Sequence, residues 1–466
     1  MLIEFSVENF RSFRKRATLS MIAARLRATD EQLDHDNTIG VSDKLILLRS
    51  AMIYGANASG KSNIIQAVTF MRQFVLNSAR LQEENVIPVE PFHLDTTGRD
   101  SPSTFEIVFL MDGLQYRYGF SVTTTRVIEE WLYFIPTVKE VRLFTRDEEG
   151  VDLGKRFSEG KTLKKLNLDN KLFLSVVAQF IKGGIAQRAR DWFRLTCHTL
   201  STVDDRGYLP YTIECIEQGR YSESLMQFIR RLDLDITGLS VEEKPLPANI
   251  ASIHDFITTM AKDSSDSLQL DLPGLTTDKT VKKLRTSHAI RNPQGHIVSH
   301  QEFPAETMES EGTRKLIALA GPLFDVLTNG LVLFLDEIDS RLHPLITAAI
   351  LKLFNSPLTN PKNAQIVCTT HDTNLLDRQI FRRDQVFFVE KDTNSISHLY
   401  SLAEFKLENA HGTGRTIRND ASFGKNYIQG RYGAIPYLGS LTSLFSEELN
   451  PAEHSSDHTG LVKDAR

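Results

Sequence analysis

Gly55-Ala56-Asn57-Ala58-Ser59-Gly60-Lys61-Ser62 is the stretch that decides how the rest of the chain is read. It fits the spacing G-x-x-x-x-G-K-[ST] of a phosphate-binding loop. Its flanks fit too. Ser50-Ala51-Met52-Ile53-Tyr54 is a short apolar run that reads as a buried strand. Asn63-Ile64-Ile65-Gln66-Ala67-Val68-Thr69-Phe70-Met71 carries apolar residues at helical spacing. A strand, a glycine-rich turn and a helix N-terminus together offer an anion backbone N–H groups and the positive end of a helix dipole. Gly55, Asn57, Ser59 and Gly60 would line that cradle. Lys61 would reach the β- and γ-phosphates of a nucleotide, and the Ser62 hydroxyl would sit on Mg2+.

Two more strands end in chemistry. Leu331-Val332-Leu333-Phe334-Leu335-Asp336-Glu337 reads as a parallel strand buried on both faces and closed by two carboxylates. With a phosphate loop elsewhere in the chain, Asp336 is the candidate Mg2+ partner and Glu337 the candidate base that polarises an attacking water. Acidic residues at a strand end also occur as solvated loop residues. Gln365-Ile366-Val367-Cys368-Thr369-Thr370-His371-Asp372 is the second such strand. His371 could sense a γ-phosphate there, although a histidine at a strand end serves as readily as a structural hydrogen-bonder. Glu309-Ser310-Glu311-Gly312-Thr313 opens a helix, so Ser310 and Gly312 offer anion-binding N–H groups or simply a helix cap.

Around these motifs the chain reads as α/β. Residues 1–150 hold the phosphate loop and a run of antiparallel strands, with Asp112-Gly113 as a hairpin turn between alternating segments. Residues 30–45 read as polar loop. Residues 151–282 read as a mainly helical insertion, and 283–445 as a second lobe with the two carboxylate- and His-bearing strands. Residues 446–466 read as a flexible tail.

The 466 residues suffice for two or three domains. With 54 Lys+Arg against 59 Asp+Glu the net charge is -5, so any nucleic-acid contact would need a local basic patch. Lys161, Lys164 and Lys165, and Lys279, Lys282, Lys283 and Arg285, are the candidate clusters, though each also reads as solvated surface. The three scattered cysteines form no metal or disulfide pattern and fit a reducing, cytoplasmic compartment. No apolar run approaches the roughly 20 residues of a membrane span.

The pieces, in this order, resemble the ABC-type ATPase heads of the SMC, RecF and OLD kind. More narrowly, Tyr54 to Asn63 and the late run Lys425-Asn426-Tyr427-Ile428-Gln429-Gly430-Arg431-Tyr432-Gly433-Ala434-Ile435-Pro436 are similar to the single-chain bacterial AAA15/AAA21 ATPases. Glu8-Asn9-Phe10-Arg11-Ser12-Phe13 matches as well. The resemblance implies an ABC-ATPase head, a P-loop sheet with helices plus an antiparallel β subdomain, that uses ATP and Mg2+. It implies a homo-oligomer in which two heads sandwich ATP. Lys61, Ser62 and Asp336 of one copy would face Ser310 and Gly312 of the other, with Glu337 as base and His371 as γ-phosphate switch. It also implies a glutamine contact, for which Gln179 is the candidate ahead of Gln115, although a buried helix with one exposed glutamine explains residue 179 as well. The turn Glu-Ser-Glu-Gly departs from the usual Leu-Ser-Gly-Gly. Two functions are compatible with such a head. One is an anti-phage sensor that answers a phage-derived trigger and controls a separate nuclease or toxin effector. The other is a DNA-repair ATPase that binds DNA directly.

Overall fold

The computed structural model describes the chain outside residues 27–29, 137–138, 167–168, 202–206, 233–234, 246–279, 409–413, 417–421 and 437–466. The expected tail at 446–466 and Lys279 therefore lie outside the described residues. Five parallel strands form the centre, in the order Cys197–Ser201, Val332–Asp336, Gln365–Thr369, Ser50–Tyr54, Val386–Lys391, with Ser397–Ser401 antiparallel at the edge.

Alternation along these strands builds two cores. Ala51, Ile53, Val332, Phe334, Val367, Phe387 and Val389 face one side, and there meet the helix Lys61–Asn77 through Ile64, Val68 and Met71. Met52, Leu333, Leu335, Ile366, Cys368 and Phe388 face the other and meet the helices Glu311–Asn329 and Pro344–Asn355. Both faces are covered, so the strands read as unbroken apolar runs. The helix Lys61–Asn77 is covered in turn by a seven-stranded antiparallel sheet, into which Leu2–Glu8, Ser103–Met111, Leu114–Val122 and Val127–Ile135 are woven. Its Asp112-Gly113 hairpin is as the sequence predicts, with both residues at positive φ (54° and 74°).

Two expectations need correction. Residues 30–45 are ordered structure: Asp30 caps a helix Glu31–Asp36, and Thr38–Ser42 pairs with Leu45–Leu48. Residues 151–282 are not one helical insertion. The helices Phe173–Phe180 and Ile185–Asp191 share the core of the phosphate-loop helix, and Cys197–Ser201 is a strand of the central sheet. What projects from the head is later: the helices Leu209–Glu217 and Ser222–Arg231, and a three-stranded sheet of Gly238–Pro245, Thr280–Arg291 and Ile297–Pro304.

The helix Glu311–Asn329 runs through Pro322 without ending there. Proline lacks the N–H that would bond the carbonyl four residues earlier. That carbonyl, of Ala318, instead accepts from the Thr212 hydroxyl at 2.5 Å. Gly321 makes room, since a Cβ there would lie 2.5 Å from the Thr212 hydroxyl. Thr212 is fully buried. Thr212→Val should leave the carbonyl unpaired and lower stability by about 1–3 kcal/mol, with Thr212→Ser nearer to wild type. Denaturant unfolding of the three proteins checks this, and equal stability of the Val and Ser variants would refute it.

Candidate functional site

The phosphate loop leaves the central sheet at the carboxyl end of Ser50–Tyr54, where open α/β sheets bind ligands. Gly60 has φ 109°, and a Cβ on it would lie 2.5 Å from the hydroxyls of both Ser12 and Ser397. A Cβ on Gly55 would run into the Val389 carbonyl. Backbone alone therefore lines the turn. The loop is braced from outside. Ser397 donates its hydroxyl to the Ser59 carbonyl at 2.5 Å and its N–H to the Ser12 carbonyl at 2.8 Å. Asn63 donates to the Ser12 hydroxyl at 2.7 Å. The Glu8–Phe13 segment is thus a buttress of the loop. Its sharp course is fixed by Asn9, which sits at φ 52° and donates to the carbonyls of Gly98 (2.7 Å) and Ser101 (2.8 Å).

Lys61 is 4% exposed, and its ammonium donates to the Gly55 and Ala56 carbonyls at 2.9 Å each. Burial pushes its pKa down to about 8, against the pull of Glu337, Asp336 and Asp339. The Ser59 hydroxyl is buried with no protein partner among the described residues. A lysine resting on loop carbonyls, an unpartnered hydroxyl and a side-chain-free turn fit a phosphate group.

Asp336 closes its strand at 8% exposure and accepts from the Thr369 hydroxyl at 2.6 Å. The same hydroxyl accepts from the Glu337 N–H at 2.7 Å. Glu337 has φ 53°, a left-handed conformation that costs a non-glycine residue on the order of 1–3 kcal/mol unless its surroundings impose it. Here the Thr369 hydroxyl and the bond from the Ile338 N–H to the Thr369 carbonyl (3.1 Å) impose it. Next along, the His371 N–H donates to Asp339 Oδ2 at 3.1 Å, and the Thr370 N–H to the Ile53 carbonyl at 3.1 Å. The two chemistry-bearing strand ends and the phosphate-loop strand are therefore one hydrogen-bonded unit. The His371 side chain is exposed. Partial burial and the charge of Lys61 hold its pKa below the ordinary imidazole value, against Asp339, Glu337 and Asp336. The Tyr54 hydroxyl, Asp339 Oδ1 and Asp372 Oδ2 are buried at these strand ends without protein partners among the described residues. A cavity of 760 Å³ lined by Asp36, Asn37, Lys352 and Arg378 lies instead at the opposite ends of the strands, near Ser50.

Lys61, Asp336, Glu337 and His371 are thus brought together, around the loop that holds Gly55, Asn57, Ser59, Gly60 and Ser62. Ser310 and Gly312 are brought elsewhere. Ser310 caps the helix Glu311–Asn329 by accepting from the Thr313 N–H at 3.1 Å, and Gly312 lies against the Arg341 carbonyl. None of their described contacts is to the phosphate loop. Gln179 is not at the site. Its helix is anchored at the far end of the phosphate-loop helix, where the Ser175 hydroxyl donates to the Val75 carbonyl at 2.7 Å. At 1.5 Å per residue that is roughly 20 Å from Lys61. Gln179 is exposed there, which corrects the expectation. Gln115 pairs with Ile135 in the antiparallel sheet. Thr369, Ser12 and Ser397 were missed, and no local signal marks them. Ser201 was missed as well, although its strand sets it level with Asp336.

A parallel sheet with a phosphate loop at its carboxyl end, and an Asp-Glu pair on a neighbouring strand, defines a P-loop nucleotide-binding protein. The family AAA_21, described as "AAA domain, putative AbiEii toxin, Type IV TA system", matches residues 50–377, and the chain belongs to it. Among solved structures it is similar to the SMC head domain from Thermotoga maritima, with 15% identity, a TM-score of 0.37, and coverage of 86% of this chain and 98% of that one. No curated protein matches the chain.

The depressed pKa of Lys61 has a measurable consequence. Phosphate selects the charged ammonium, and the free protein loses that charge as pH rises through about 8. Nucleotide affinity should be flat below that pH and fall up to about tenfold per unit above it, because binding must then take up a proton. Calorimetric titrations between pH 7 and 9.5 read this directly. Affinity unchanged across the range would show that Lys61 is not the group that titrates.

Proposed function

We propose that the protein is an ABC-type ATPase that hydrolyses ATP in a composite site between two copies. In this reading it is a sensor and scaffold controlling a separate effector in anti-phage defence. The observation that carries the reading is the single hydrogen-bonded unit of Lys61, Asp336, Glu337 and His371, with the turn Ser310–Gly312 held apart from it. Lys61 and the loop N–H groups would hold the phosphates. Ser62 and Asp336 would hold Mg2+, which supplies charge neutralisation and orientation. Glu337, fixed by Thr369, would accept the proton of the attacking water. His371, kept neutral by burial and by Lys61, can accept or donate a hydrogen bond at the γ-phosphate without adding charge. Ser310, Gly312 and the helix N-terminus behind them would complete the site of the other copy.

The defence role is supported by the toxin–antitoxin wording of the matched family. It is also supported by likeness in size and architecture to the ATPase subunit AriA of the PARIS anti-phage system and to the AbiL ATPase. The effector would be a nuclease toxin on another chain and the trigger phage-derived. Direct DNA binding is less favoured, because the basic residues at 282–285 are neutralised in place. Lys282 pairs with Glu217 (2.6 Å), Lys283 with Glu306 (2.9 Å) and Arg285 with Glu242 (2.8 Å). Among the described residues no helix is long and apolar enough to cross a membrane.

Glu337→Gln should bind ATP, hydrolyse it at least about a hundredfold more slowly, and accumulate as an ATP-dependent dimer or larger assembly. Single-turnover kinetics and light scattering measure both. Wild-type turnover by this variant would remove Glu337 as the base. Capture of the native protein should then recover a neighbouring effector chain; recovery of DNA without a protein partner would instead support the repair reading.

A further inference from the structure

The turn Glu309-Ser310-Glu311-Gly312 differs from Leu-Ser-Gly-Gly most sharply at its first residue, where a carboxylate stands in place of an apolar side chain. That carboxylate is not solvated. The Glu309 side chain is 9% exposed, and its Oε1 accepts from the Thr286 hydroxyl at 2.5 Å and from His288 Nε2 at 2.7 Å. Thr286 and His288 lie two apart on Thr280–Arg291, the middle strand of the projecting three-stranded sheet, and so share a face. Leu284, on the same face, packs with Ile317 and Ala320 of the helix that Ser310 caps. Thr286 is fully buried. A leucine at 309 would leave its hydroxyl without this acceptor, which is costly inside a protein. On its other side the turn is pinned by Gly312 against the Arg341 carbonyl and by Lys315 donating to the Ser340 carbonyl. Ser310 is therefore held between two anchors, one on the turn that follows the Asp336 strand and one on the projecting sheet.

We propose that Glu309 is a positioning residue for the nucleotide site of the partner copy. It fixes Ser310 in the orientation that meets the phosphates held by the other copy's Lys61, and it ties that orientation to the projecting sheet. A tilt of this sheet against the head moves Thr286 and His288, and through Glu309 moves Ser310. The sheet is thus the lever through which a bound partner or trigger acts on hydrolysis. The inference rests on the ATP-sandwich reading above.

The two separate in a mixing experiment on full-length, differently tagged copies. Glu309→Ala alone should bind ATP as the wild type does, because its Lys61 is intact. It should turn ATP over at least about tenfold more slowly, the scale of one lost buried hydrogen-bonded pair. Glu309→Gln, which keeps an acceptor for Thr286, should recover most of the rate. Lys61→Ala alone should be inactive. Mixed, the Glu309→Ala and Lys61→Ala copies should regain roughly half the wild-type turnover, since one of the two sites is then complete. Ser310→Ala mixed with Lys61→Ala is the control for the composite site. If the control pair recovers and the Glu309→Ala pair does not, Glu309 acts within its own copy and the inference is overturned while the ATP sandwich stands. If neither pair recovers, the sandwich itself fails and the inference with it. Lost ATP binding by Glu309→Ala, or full activity of that variant by itself, would each overturn the inference alone.

Discussion

The parallel pairing of Ser50–Tyr54 with Gln365–Thr369, in the register that sets Ile53 opposite Thr369, is the constraint on which the site depends. With Leu335 opposite Cys368 on the other side, it makes Gly55, Asp336 and Thr370 leave the sheet at one level. A slip of one residue would turn every side chain to the other core and carry the Thr369 hydroxyl away from Asp336 and Glu337. Burial on both faces resists such a slip. Buried amides at the opposite strand ends forbid it in detail. Gln365 accepts from the Leu2 N–H (2.6 Å) and donates to the Leu2 and Leu48 carbonyls (3.1 and 3.0 Å). Gln385 donates to the Ser50 hydroxyl (2.8 Å), which itself donates to Asn355 (2.7 Å). A buried amide has few alternative partners, so each bond admits one register only.

What could be read from the chain follows from the range over which each feature is determined. The phosphate loop was legible because its spacing is set by local backbone geometry, and the Asp336-Glu337 strand because a doubly buried strand must be apolar throughout. The Asp112-Gly113 turn was legible because few dipeptides accept two positive φ values. Cys197–Ser201 was not, because an edge strand of five residues with His198, Thr199 and Ser201 in it has neither an apolar run nor clean alternation. Thr369 was quoted as part of its strand, yet its role as the clamp on Glu337 depends on a strand some thirty residues away in sequence. Ser12 and Ser397 brace a loop to which neither is near in the chain. Gln179 misled for a related reason. Its helix is amphipathic and the residue exposed, but its distance from the loop is fixed by the contact of Ser175 with Val75, which no local pattern records.

Charge explains why a grip of this kind needs more than its own loop. Asp336, Glu337 and Asp339 all act on the single ammonium of Lys61, so carboxylates outnumber cations where a triphosphate would lie. A nucleotide adds further negative charge. In a partly desolvated cleft such like charges repel more strongly than in water. Mg2+ on Ser62 and Asp336 offsets part of this. The positive end of the helix Lys61–Asn77 offsets more. In the proposed sandwich a second helix N-terminus, that of Glu311–Asn329 behind Ser310, arrives from the other copy. It brings N–H donors without a carboxylate at the point of contact, because Glu309 is turned inward onto Thr286 and His288. The latch that orients Ser310 is therefore also what keeps a carboxylate out of the phosphate site. A turn that reads from its sequence as too acidic to meet a nucleotide becomes, once folded, able to do so.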